Sequence, residues 1–111
     1  MDSILTSIKK LLGIAEEYDH FNPDIIMHIN SAFSVLTQLG VGPIEGFYIE
    51  DASKTWSEFL HDDPRLEFVK TFIYLKVRLA FDPPSSSAVM EAIVRQINEL
   101  EWRINVTVDH N

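Results

Sequence analysis

Apolar residues recur at helical spacing over most of the chain. Ile4, Leu5, Ile8, Leu11 and Leu12 predict a short first helix, with Gly13 as the residue that ends it. A helix this short persists only when packed against something else. Asn22-Pro23-Asp24 supplies an N-cap, a proline at the first helical position and an acid in the first turn. Ile25, Ile29, Ala32, Phe33 and Leu36 carry the apolar face of this second helix to Leu39-Gly40.

From Gly40 to Lys54 no helical period is legible. Gly40, Gly42, Pro43 and Gly46 are followed by Phe47, Tyr48 and Ile49, where a short extended segment is expected. A connection of this length in a compact domain is more often functional than incidental. Thr55-Trp56-Ser57-Glu58 then has the form of a capping box, opening one or two turns of helix through Leu60. Trp56 is expected in the core, as the anchor so short a helix needs.

Asp63-Pro64 opens a fourth helix, expected over Pro64 to Phe81. It has two apolar faces, Leu66, Val69, Ile73, Val77 and Ala80 on one and Phe68, Phe72, Leu75 and Leu79 on the other. A helix apolar on most sides has neighbours on most sides, so this is the central helix. Lys76 and Arg78 lie on it, either lining a contact with another subunit or extending their stems past apolar neighbours to water. Asp82-Pro83-Pro84 stops it, and Ser85, Ser86 and Ser87 offer N-caps for a last helix. Its stripe is Val89, Met90, Ile93, Ile97, Leu100 and Ile104, with Glu91–Arg95 and Glu99–Arg103 spaced for ion pairs. Trp102 falls opposite that stripe, so either the first helix or another chain covers it. Ile104, Val106 and Val108 alternate with polar residues, the strand period, which predicts an extended, flexible tail over 105–111.

The pattern therefore predicts one all-α domain spanning 1–111, a bundle of four to five helices around a buried central one, with a loop at 40–54. A chain of 111 residues with 46% hydrophobic and 23% charged residues suits a single core. The formal net charge of −8, from 9 basic and 17 acidic residues, opposes nucleic-acid binding and anionic membranes. The absence of cysteine excludes disulfides, thiolate metal sites and a cysteine nucleophile. No apolar run approaches the length of a membrane span, and no leader is visible.

Candidate chemistry is sparse. His20, His28, His61 and His110 fall in separate elements without zinc-type spacing, and His28 sits one turn after Asp24 as an intrahelical partner. Glu16, Glu17, Asp19 and His20 lack the glycine and closing glutamate of a calcium loop and suit a solvated linker. Asp62 and Asp63 suit capping better than acid–base work. Gly40-Val41-Gly42 follows a helix where a dinucleotide loop follows a strand, and the three serines form no nucleophile elbow. No catalytic residue, cofactor or metal is expected, so function rests on contacts.

Three stretches carry a resemblance. They are Phe21-Asn22-Pro23-Asp24-Ile25-Ile26-Met27-His28-Ile29-Asn30, Leu36-Thr37-Gln38-Leu39-Gly40-Val41-Gly42-Pro43, and Tyr74-Leu75-Lys76-Val77-Arg78-Leu79-Ala80-Phe81-Asp82-Pro83-Pro84. With them the chain resembles the small head–tail connector proteins, also called adaptor or head-completion proteins, of long-tailed phages and prophages. The resemblance implies a helical subunit that assembles in the bacterial cytoplasm into a ring at the virion neck. Its implied partners are the portal protein, neighbouring copies of itself and a downstream neck or tail-completion protein, with DNA passing through without specific binding. It also implies contact regions in the loop, with Val41, Phe47, Tyr48 and Ile49, and in the C-terminal segment with Val106 and Val108. Lys76, Arg78 and Trp102 join these as candidate contacts from their own positions. The alternative is an acidic regulatory or inhibitor module that occupies a basic protein partner. It requires one contiguous acidic stripe, whereas the acids are spread over every segment.

Overall fold

The computed structural model describes residues 3–109, and the side chains of residues 3–106. It is all-helical: α1 (Ile4–Leu12), α2 (Asn22–Gln38), α3 (Trp56–Phe59), α4 (Leu66–Phe81) and α5 (Ser87–Asp109). α4 is the central helix. α1 and α2 pack on it and on each other, and α5 packs on it from beyond. The body is a slab of 41 × 36 × 20 Å.

Each boundary has a local cause. Ser3 caps α1 by accepting from the Thr6 amide at 3.2 Å, and Gly13 closes it in the left-handed region at φ 82°. The capping box on α3 is complete, with Thr55 Oγ1 accepting from the Glu58 amide and Glu58 accepting from the Thr55 amide at 2.8 Å. Ser86 Oγ accepts from the Val89 amide at 3.3 Å to open α5.

Two starts move. α2 begins at Asn22 with Phe21 as its cap residue, so the Asn22 side chain caps nothing, and its Oδ1 is enclosed without a hydrogen-bond partner. α4 begins at Leu66, because Asp63 turns the chain first. The Asp63 carboxylate accepts from the Arg65 amide at 2.8 Å and grips the Arg65 guanidinium at 2.6 Å. That guanidinium holds the Asp63 carboxyl below its ordinary value, and the carboxylate raises Arg65 in turn.

The expected extended tail is corrected. The chain stays helical through Asp109. Ile104 alternates with its neighbours, but it also continues the stripe of Ile93, Ile97 and Leu100, and all four are buried. Nothing between Ser87 and Asp109 breaks a helix, and extending a formed helix fixes one residue per added bond. His110 and the end of the expected tail lie outside the described residues.

The core joins Ile4 and Ile8 of α1, Ile29 and Phe33 of α2, and Val69, Ile73 and Val77 of α4, all fully buried. Trp56 is in it as expected, and its indole Nε1–H donates to Ser7 Oγ at 2.8 Å. Phe33 anchors an aromatic group with Phe47, Trp56 and Phe59 at centroid distances of 5.0, 6.5 and 4.7 Å. Lys9 is buried, at 2% exposure, and folds the 14–20 linker back onto α1. Its Nζ donates to the carbonyls of Glu16 at 2.9 Å and Tyr18 at 2.7 Å.

Candidate partner-contact surface

The 40–54 loop is held in place by its own side of the core. The candidate contact residues Val41 and Ile49 are buried in the core, where they anchor the loop instead of facing outward. Loop residues lack a period, and their direction cannot be read from spacing. Asn30 of α2 fastens the returning limb: its Nδ2 donates to the Ile49 carbonyl at 2.9 Å, and its Oδ1 accepts from the Ile49 amide at 2.8 Å. The side-chain amide thus does what a neighbouring strand would do, which satisfies a buried backbone pair without a sheet. Residues 47–49 are accordingly unpaired by any strand. Phe47 is half-buried between Phe33 and Phe59, with Lys54 Nζ 5.5 Å from its ring centre. Gly42 takes φ +87° hard against the Phe59 ring.

With both limbs anchored, the tip faces outward. The Gly46 amide donates to the Pro43 carbonyl at 3.0 Å, closing a turn that presents Ile44 at 96% exposure. Tyr48, four residues on, stands 62% exposed. Ile44 was not among the sequence candidates; the spacing Pro43-x-x-Gly46 is the signal that places an apolar residue at a turn tip.

The second exposed feature is α5. At about 100° per residue its buried stripe occupies one narrow arc, and Trp102 lies nearly opposite. The first helix does not cover it: Trp102 is 64% exposed. Arg103 pairs with Glu99 at 2.9 Å as expected, whereas Arg95 makes no ion pair with Glu91 among the described residues. Val106 is half-buried on the same helix, and the side chain of Val108 lies outside the described residues. Lys76 and Arg78 are half-buried on α4. Lys76 lies 5.8 Å from the centre of its own Phe72 ring and lines a shallow groove with His28 and Ala32, while Arg78 borders Leu11 and Asp82. The candidates therefore do not form one patch; they divide among loop tip, outer helix face and central helix.

Away from all three, a cleft of about 720 Å³ opens between α1, the start of α2 and the end of the loop. Leu5, Pro23, Ile26 and Ala52 line it together with Asp19, Asn22, Glu50 and Asp51. The Ser53 hydroxyl, and with it the Ser53 amide at 2.9 Å, donate to Asp51 and hold its carboxyl below the ordinary value. His20, His28 and His61 remain in separate elements, and among the described residues no three His, Asp or Glu side chains gather as a metal site. No helix among the described residues is long and apolar enough to cross a membrane.

The chain is thus a small helical fold with a loop anchored from inside and a largely exposed aromatic on its longest helix. A family model described as phage connector protein matches residues 4–111, and the chain belongs to that family. It is thus a structural connector of the phage particle that contacts other head or tail proteins. No curated protein and no solved structure matches it.

Proposed function

We propose that the chain is the repeating subunit of a ring that docks beneath the portal. The ring extends the DNA channel and gives the next neck or tail-completion protein its platform. It is assembled in the host cytoplasm and ends at the virion neck. The observation that carries this reading is the loop. Val41, Phe47, Ile49 and the Asn30 amide hold it from inside, so Ile44 and Tyr48 are presented in a set position. Ordering a contact loop in advance removes an entropic cost from binding, and a large aliphatic or aromatic residue entering a pocket is the usual centre of binding energy. The excess of acids supports a channel wall along which DNA slides without adhering. The carboxylates stand in separate groups, with none between Asp24 and Glu45 or between Glu67 and Asp82, which gives no continuous acidic run for a DNA-mimicking inhibitor.

The test is binding of purified chain to isolated portal rings. Ile44→Asp combined with Tyr48→Ala is expected to weaken binding by about thirtyfold or more, the size of a lost hot spot. Its helical circular dichroism should be unchanged, since neither residue is in the core. Deleting Asn105 to Asn111 retains the buried stripe through Ile104 and is expected to weaken binding with the fold intact. Full-strength binding by the loop variant overturns the docking role of the loop. Full-strength binding by the truncated chain removes the end of α5 from it.

A further inference from the structure

Two sides of the domain are chemically complementary. The cleft beside the loop has apolar walls and three carboxylates, those of Asp19, Glu50 and Asp51, and no basic residue lines it. The outer face of α5 offers an exposed aromatic and one cation, with Glu91 and Glu99 one turn to either side of that cation. Arg95 and Trp102 lie on one line of that helix, two turns or about 10 Å apart. Trp102 is largely exposed, and Arg95 has no ion-pair partner among the described residues.

No residue of α5 lines the cleft, so the two features do not meet within one molecule. α5 turns its buried stripe toward α4 and its outer face away, while α1, α2 and the loop enclose the cleft beyond α4. A feature and its complement on different sides of one molecule form a head-to-tail contact, which passes from copy to copy and closes when the rotation allows. We propose that Trp102 and Arg95 of one copy enter the Asp19–Glu50–Asp51 cleft of the next copy, and that this contact builds the ring. The inference rests on the ring reading above and names the surfaces that make it. The indole ring lies on the apolar walls, and the guanidinium meets carboxylates. Tryptophan and arginine are the residue types that most often dominate such contacts. The charge match also sets direction, because two clefts, both acidic, repel.

The chain has no cysteine, so introduced ones report one contact only. Ala52 lines the cleft, and Asn98 stands one turn before Trp102; both are exposed. Ala52→Cys with Asn98→Cys in the same chain should give, on mild oxidation, a ladder of covalent multimers, while each single variant stays monomeric. Oxidation is run on the free protein at high concentration and on portal rings. Trp102→Ala and Arg95→Glu are expected to raise the concentration for half-assembly about tenfold or more. Adding Asp51→Arg to Arg95→Glu should restore assembly. If wild-type chains assemble, but the double-cysteine chain gives no ladder and both single variants assemble normally, the inference is overturned and the ring reading stands. If Trp102→Ala assembles normally but no longer binds portal rings, the face belongs to the portal and the inference is again overturned. Failure of wild-type chains to assemble, free or on portal rings, overturns both.

Discussion

Removing the Asn30 amide should release the loop. Asn30→Ala deletes two hydrogen bonds, of 2.9 and 2.8 Å, and leaves the carbonyl and amide of Ile49 without partners. Ile49 is buried, so water does not readily replace them. An orphaned buried group costs about 1–3 kcal/mol, which for the pair gives about 3 kcal/mol if the loop partly relaxes. For a domain of this size each kcal/mol lowers Tm by about 4–8 °C, so a fall of about 12 °C or more is expected. Urea denaturation followed by circular dichroism measures the stability, and hydrogen exchange at the Ile49 amide locates the change. Exchange there should become fast while α4 amides stay protected. A variant within about 0.5 kcal/mol of wild type, with Ile49 still protected, would refute the claim that one side chain fastens the loop.

Two further substitutions test neighbouring claims. Gly42 and Gly13 both take positive φ, but a methyl at Gly42 runs into the Phe59 ring, whereas one at Gly13 meets nothing within 4 Å. In parallel urea titrations, Gly13→Ala should cost about 1 kcal/mol and Gly42→Ala about 3 kcal/mol or more; equal costs would deny the close approach. Asp63→Asn should lower stability at neutral pH by about 1 kcal/mol, because the pair with Arg65 is partly exposed. Arg65 depresses the folded-state Asp63 value, so its contribution is present above the ordinary carboxyl value of 3.8 and lost as pH falls through the lower folded value. The gap between wild type and variant should therefore close in acid, and a gap constant with pH would assign the loss to something other than the charge.

Much of the helical framework is legible in the sequence because each end has a chemical signal. Gly13, the Thr55–Glu58 box and Asp82-Pro83-Pro84 all fall where the structure turns. The end of α5 is not, because two periods coexist there. Ile104 satisfies both the alternation with Val106 and Val108 and the helical stripe from Ile97 and Leu100, and an already-formed helix decides between them. The Asn22 cap is displaced by one residue, the ordinary uncertainty of a helix end. The exposure of the candidate residues was legible only in part. Trp102 stands exposed, opposite the stripe that singled it out. Val41 and Ile49 are buried, and the Asn30 amide that fastens Ile49 lies far back in sequence, where no local period announces it. Ile44 was hidden because a single apolar residue in a glycine-rich turn has no neighbours in register with it.

The loop divides its residues by task. Val41, Phe47 and Ile49 hold it, whereas Ile44 and Tyr48 face out and hold nothing. A mutation at either outward position therefore alters what is displayed without disturbing the fold that displays it. Selection can act on partner choice and on stability separately, position by position. If the loop tip docks as proposed above, such a connector follows a changing partner through substitutions at two side chains, with the helices beneath left as they are.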